Sequence, residues 1–290
     1  MASKAPIGGY FRSKSIVVTG ASSGIGADAA LAFGEQGANV ALLARRTPPL
    51  EQLAAKIIKA GGKALALQCD VTDRARVFWA IEQARDAFGG VDVLINSAGV
   101  LIPDPVEQTR PEDLERMMTT NLYGALHAMH AVLPIMRRAK AGNIVNVASL
   151  AGRRGVSPLG AYSATKFALV GLTEALRVEL FGSGVHVSLV MPGVIDTPMA
   201  RVAQKSSDSL KGLPAMMAMA MPVRWVTWAI LAAAAFGLTE VDVPPGAAVV
   251  EKLASLFPGV TDAILSVGSR ILQGASAMAS GAAKPAPGKQ

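Results

Sequence analysis

Six short apolar runs, each followed by a longer stretch with helical spacing, constrain this chain more than any other feature. The runs are Ile16–Val18, Val40–Leu43, Ala64–Leu67, Val93–Ile95, Ile144–Val147 and Val185–Val190. None shows the apolar/polar alternation of a half-solvated strand. Each therefore reads as a strand buried on both faces, the habit of parallel sheets. The helical stretches are Gly24–Gln36, Leu50–Ala60, Asp73–Phe88, Pro111–Arg138 and Ala161–Phe181, with a further helix at Val223–Phe236. The repeated β-α order predicts an α/β fold: one Rossmann-type, doubly wound parallel sheet flanked by helices, with a helical C-terminal extension.

The first run leads into Thr19-Gly20-Ala21-Ser22-Ser23-Gly24-Ile25-Gly26, and a helix follows. In a strand-loop-helix of this kind, Gly20 permits a tight turn and Gly24 lets backbone approach a pyrophosphate. Gly26 lets the helix pack on the strand. Unpaired N–H groups and the positive dipole end then face the phosphates. A glycine turn without a ligand is the competing reading; the position at the head of a β-α series favours the dinucleotide.

The second run ends Leu42-Leu43-Ala44-Arg45-Arg46. A carboxylate there would accept hydrogen bonds from a ribose 2′-OH and would repel a 2′-phosphate. Two guanidiniums can grip that phosphate instead. Arg45 and Arg46, with Ser22, are thus expected to select NADP(H), against the alternative that they merely begin a solvated helix.

Tyr162 and Lys166 stand four residues apart on a predicted helix and share a face. A nearby ammonium is expected to lower the tyrosine pKa from its usual value of about 10. The phenol could then give a proton to a carbonyl or take one from an alcohol. A Tyr-x-x-x-Lys match alone is weak. Ser149 strengthens it, because it follows the strand Ile144–Val147 and so lies where open α/β sheets bind ligands.

Together these motifs resemble the short-chain dehydrogenase/reductase family over about Lys14 to Thr197. Thr19–Gly26 is similar to its T-G-x-x-x-G-x-G loop. Cys69-Asp70-Val71 resembles its adenine segment, with Asp70 on the amino group and Val71 on the ring. Asn96-Ser97-Ala98-Gly99 is similar to its N-N-A-G, with Ser97 in place of the second Asn. Asn96, Ala98 and Gly99 are thereby expected beside the cofactor. Asn121 matches the helix asparagine that holds a proton-relay water, although a purely structural asparagine would fit the sequence as well. Pro192-Gly193-Val194-Ile195-Asp196-Thr197 resembles the stretch that holds the carboxamide, which assigns Pro192, Gly193, Val194, Ile195 and Thr197 to cofactor binding. Catalytic roles are implied for Asn121, Ser149, Tyr162 and Lys166, and substrate contact for Ser149 and Tyr162. Gly20, Ser22, Ser23, Gly24, Ile25, Gly26, Arg45 and Arg46, with Tyr162 and Lys166, complete the expected cofactor set. The implied activity is hydride transfer between NADP(H) and a carbonyl or secondary alcohol. The implied assembly is a homodimer or homotetramer formed through two long helices.

The sequence departs from many relatives after its last strand. Val241-Asp242-Val243-Pro244-Pro245-Gly246 replaces the D-G-G turn common in 3-oxoacyl thioester reductases. The apolar region Leu210–Phe236 suggests an apolar substrate, with Met216, Met217, Met219 and Met221 as adaptable lining or core. Residues 1–14 are read as a leader and 15–273 as the domain, with a lid over about 195–236. Val241–Val243 is a candidate last strand, Ala247–Phe257 and Thr261–Leu272 are candidate helices, and 274–290 a disordered tail.

Composition narrows the alternatives. Apolar residues make up 51% of the 290-residue chain and charged ones 17%, enough for a large core. One cysteine, Cys69, precludes an intrachain disulfide and a cysteine metal cluster, and a reducing, cytoplasmic setting is expected. His127, His130 and His186 lack ligand spacing and read as structural; no metal is expected. Asp73 reads as a helix N-cap. No run reaches the roughly 18 apolar residues of a membrane span, which leaves surface contact by the C-terminal helices as the lesser membrane reading. The net charge of +7 comes from scattered residues, so nucleic acid is not expected. A catalytically silent NADP(H)-binding regulator on the same fold is the main rival function.

Overall fold

The computed structural model describes residues 9–205, 220–247, 256–261, 263 and 266. They form a seven-stranded sheet in the order β3-β2-β1-β4-β5-β6-β7, with every neighbouring pair parallel. The strands are β1 (Ser15–Thr19), β2 (Asn39–Ala44), β3 (Lys63–Gln68), β4 (Val93–Asn96), β5 (Gly142–Val147), β6 (Val185–Pro192) and β7 (Glu240–Val243). The helices are α1 (Gly24–Glu35), α2 (Thr47–Lys59), α3 (Arg74–Phe88), α4 (Pro111–Met118), α5 (Gly124–Ala139), α6 (Gly160–Glu179), α7 (Pro198–Lys205) and α8 (Val223–Phe236).

Burial explains why the strands carry no alternation. Ile16, Val18, Val40 and Leu42 face one layer, where Phe33, Leu50, Ile57 and Ile230 of α1, α2 and α8 cover them. Val17, Ala41, Leu43 and Leu94 face the other, against Val77, Ile81, Met129 and Leu169 of α3, α5 and α6. Period-2 geometry sends successive residues to opposite faces, and both faces are dry. The order reverses direction at β1/β4, which opens a crevice at the carboxyl ends of these strands.

Two features differ from the sequence reading. The stretch Pro111–Arg138 is not one helix: a π-helical turn at Thr119–Tyr123 separates α4 from α5. The wider turn carries Asn121, which is 1% exposed; such turns are often found at functional sites. Apolar periodicity cannot show one, because the flanking turns keep helical spacing. The end of the presumed leader also belongs to the body. Phe11 is 1% exposed and meets Phe33 edge-on at 4.7 Å, and the Tyr10 hydroxyl donates to the Ala235 carbonyl at 2.7 Å.

The last strand is present as Glu240–Val243, pairing with β6. The start of the expected lid, over about 195–236, contains α7. Met216, Met217 and Met219, most of the two C-terminal helix candidates and the tail lie outside the described residues. Among those described, no helix is long and apolar enough to cross a membrane.

Candidate active site

The phosphate loop is shaped by contacts that exclude side chains. Gly20 has φ +69°, and a Cβ there would fall 2.7 Å from the Ala98 backbone. A Cβ on Gly26 would fall 2.6 Å from the Gly20 carbonyl oxygen, so α1 lies directly on the turn. Thr19 ties this loop to the next crossing: its hydroxyl accepts from Ser97 N at 3.2 Å and Ala98 N at 3.3 Å. Ser23, the N-cap of α1, makes no side-chain capping bond. The first turn of that helix opens onto a cleft of about 280 Å³.

Gly20, Ser22, Ser23, Gly24, Ile25, Arg45, Arg46, Asp70, Val71, Ala98, Gly99, Tyr162, Lys166 and Thr197 all line this cleft. The exposed Arg46 guanidinium donates to the Ser22 hydroxyl at 3.3 Å, which puts two of the expected phosphate ligands side by side. Asp70 caps its own turn, accepting from Thr72 N and Oγ1 at 3.0 and 2.9 Å. Val71 is pressed against the start of α5, where a Cβ on Gly124 would fall 2.6 Å from it. Asp73 accepts from Arg76 N and caps α3. His127 Nδ1 lies 3.0 Å from the Val71 carbonyl oxygen, a contact that braces this segment.

Several expected cofactor residues stand elsewhere. Gly26 is behind the loop. Asn96 is 4% exposed inside the sheet, where its amide donates to Asn146 Oδ1 at 2.9 Å; it supports the crevice and does not line it. Pro192, Gly193, Val194 and Ile195 line a second cavity, because β6 lies beyond β5 from the switch point. Sequence reasoning missed Ala44, Cys69, Ser97, Val100, Thr120, Val147, Ala148, Pro198 and Met199 in the first cleft. Ala44 and Val147 end strands and Ser97 follows one, so their location was available as a signal. Thr120 and Met199 depend on how helices pack, and no motif marks them.

The second cavity measures about 670 Å³ and meets the first at Ile25, Ala148, Tyr162, Thr197 and Met199. Ser149 and Tyr162 both reach it. Ser149 Oγ donates to the Pro192 carbonyl at 3.2 Å and accepts from Ala151 N at 3.1 Å. Burial pushes the Tyr162 phenol up to about 12, against a hydrogen bond with Ser149 that lowers it. Burial also brings the Lys166 ammonium down to about 8. Lys166 is 5% exposed; its Nζ lies 5.7 Å from the Tyr162 ring centre and donates to the Val147 carbonyl at 3.0 Å. The opposing influence on the phenol therefore comes from Ser149, where the sequence reading put it on Lys166.

Asn121 holds this group from behind. Its amide donates to the Val100 carbonyl and Thr165 Oγ1, both at 3.0 Å, and accepts from Val100 N at 2.8 Å. Thr165 donates in turn to the Tyr162 carbonyl at 2.8 Å. Both amide hydrogens are thus taken, and Asn121 fastens the loop after β4 to the turn of α6 that bears Tyr162.

The fold agrees with the comparisons. The short chain dehydrogenase family profile matches residues 14–208, and the chain belongs to that family of oxidoreductases. The ketoacyl reductase HetN of Nostoc sp. (strain PCC 7120) is 37% identical over 201 residues, 69% of this chain and 70% of that protein. The oxidoreductase UcpA of Escherichia coli (strain K12) is 36% identical over 219 residues, 74% and 83% of the two chains. A short chain dehydrogenase/reductase from Burkholderia phymatum, solved in complex with NAD, superposes with a TM-score of 0.79 at 26% identity, covering 87% of this chain and 96% of that one.

Proposed function

We propose that this protein is an NADP(H)-dependent reductase or dehydrogenase acting on a carbonyl or secondary alcohol, with Tyr162 as general acid/base. The observation that carries the reading is the position of Tyr162. It is a wall of both cavities, so one phenol touches the dinucleotide cleft and the apolar chamber together.

The residues of the first cleft fit a nicotinamide dinucleotide. Gly20 and Gly26 leave no room for a Cβ, the first turn of α1 opens onto the cleft, and Asp70 and Val71 form its far side. Arg45 and Arg46 replace the acid that would select a free ribose hydroxyl, which supports NADP(H) for this chain, although the Burkholderia relative is described with NAD. When bound, the cofactor supplies or accepts the hydride. The chain does the rest. The Ser149 hydroxyl steadies the substrate oxygen, and the Tyr162 phenol gives that oxygen a proton during reduction. The Lys166 ammonium, held by the Val147 carbonyl in the wall of the first cleft, is placed to bind the cofactor beside Tyr162, and Asn121, through Thr165, keeps the Tyr162 turn in place. Asn121 in this reading is a positioning residue.

Assembly as a homo-oligomer is part of the same proposal. Tyr123, Phe167, Val178 and Phe181, on and beside α5 and α6, expose large apolar groups to solvent, and Phe181 is 94% exposed. The test of the activity compares NADPH with NADH over a panel of carbonyl compounds, with Tyr162→Phe alongside. Turnover that survives the substitution would refute the assignment.

A further inference from the structure

The apolar cavity carries information that the reaction class does not use. Among its described lining residues no side chain is charged, and the polar side chains are Ser149, Tyr162 and Thr197. The Thr197 hydroxyl accepts from Ala200 N at 3.2 Å. Several main-chain N–H groups around the cavity are committed. Gly193 N donates to the Val243 carbonyl at 2.8 Å, Met221 N to Val194 at 2.9 Å, and Ala148 N to Val190 at 2.9 Å. Val156 N donates to Ser163 Oγ at 3.2 Å. Charges on the flanking segments are paired. Asp196 holds the Arg201 guanidinium through two bonds of 2.7 Å, and Arg153 lies 2.7 Å from both Glu174 and Glu240.

Among the described residues, a ligand in this chamber therefore meets polar side chains at Ser149, Tyr162 and Thr197 and no charged one. A carboxylate or phosphate would be desolvated without a cation, and additional hydroxyls would be buried without partners; both are costly. The volume of about 670 Å³, part of which the nicotinamide end of a bound cofactor would take beside Tyr162 and Thr197, lies within the roughly 300–1,000 Å³ of pockets that enclose drug-sized ligands. Three- and four-carbon ketones would leave it mostly unfilled.

We propose that the cavity selects uncharged, bulky, apolar ketones or the matching secondary alcohols, whose one oxygen is at the reacting carbon. It discriminates against keto acids, sugars and phosphorylated compounds. This rests on the reading of Ser149 and Tyr162 as the reacting wall. Flexible Met199 and Met221 would let the chamber accept more than one apolar outline.

The test uses the full chain with NADPH and pairs 2-undecanone with 10-oxoundecanoate, beside the methyl ketones from butanone upward and an acetoacetyl thioester. Binding of the corresponding secondary alcohols is measured by calorimetry with NADP⁺ present. Expected is a kcat/KM that rises about fourfold per added methylene until the chamber is full, with discrimination of roughly a hundredfold or more against the carboxylate, whose burial lacks a partner. Met221→Lys should reduce that discrimination by about tenfold or more, since it offers the carboxylate a cation; retained NADPH affinity reports that the variant is folded. Equal use of the carboxylate and the neutral ketone, preference for the thioester, or rates indifferent to chain length would overturn the proposal. If the alcohols bind with the expected length dependence and nothing is turned over, the ligand class stands and the reductase reading falls.

Discussion

The cofactor cleft and the apolar cavity share Tyr162 and differ in how they are built. The cleft is made of consecutive residues at strand ends, held by backbone geometry around Gly20 and by Thr19 bridging to Ser97 and Ala98. It presents hydroxyls, guanidiniums and the first turn of a helix. The cavity is assembled from the ends of β5 and β6, the loop before α6, α7 and Met221 two residues before α8, and among its described lining residues no side chain is charged. One is a local structure that recognises charge. The other is a tertiary structure that recognises shape and the absence of charge.

That contrast can be broken by substitutions that strike one side only. The largest effect is expected where the two sides meet. Tyr162→Phe should lower kcat by about 10²–10⁴, the range of a lost general acid, while NADPH affinity measured by fluorescence titration stays within a few-fold. A comparable loss of affinity would mean that the phenol serves the cofactor more than the reaction. On the cleft side, Ala44→Asp with Arg45→Leu should cost NADPH about 10–100-fold in KM, the scale of a charge-assisted hydrogen bond of roughly 1.5–3 kcal/mol. The ketone KM should not move. An unchanged NADPH preference would assign Arg45 to the solvated surface.

A pH effect of intermediate size should follow from Lys166. Its ammonium titrates near 8, while the phenol keeps its proton to about 12. The cation is present below pH 8 and lost above it. Reduction measured as kcat/KM should therefore fall up to about tenfold per unit above pH 8, and Lys166→Arg should move that limb upward. A profile flat to pH 10 would show that the cation is not needed. The smallest effect belongs to the cavity. Val156→Ala removes two methyl groups from a half-buried wall and should lower kcat/KM for a bulky ketone by about fourfold or somewhat more, with NADPH affinity unaltered. An equal loss for butanone would make Val156 a packing residue of the loop instead.

Much of the cleft was legible because its determinants are contiguous. The loop Thr19–Gly26, the end of β2 and Asp70–Val71 each announce themselves within a few residues, and the strands that carry them are apolar runs too short to be helices. Asn96 and Pro192–Ile195 were legible as motifs but not as places. Whether a residue after a strand faces one cavity or its neighbour depends on where that strand sits in the order β1-β4-β5-β6, and that is a property of the sheet.

The sequence by itself determined the α/β layering, the parallel sheet and the shared helix of Tyr162 and Lys166, because two-sided burial, glycine sterics and helical spacing are short-range consequences of residue type. Only the tertiary structure decided that Phe11 joins the core, that a π turn carries Asn121 into the interior, and that Lys166 hydrogen-bonds Val147. It also decided that the described wall of the chamber beside Tyr162 is largely apolar and without a charged side chain. These depend on atoms brought together from distant segments, and on the burial that shifts both pKa values, neither of which local residue patterns encode.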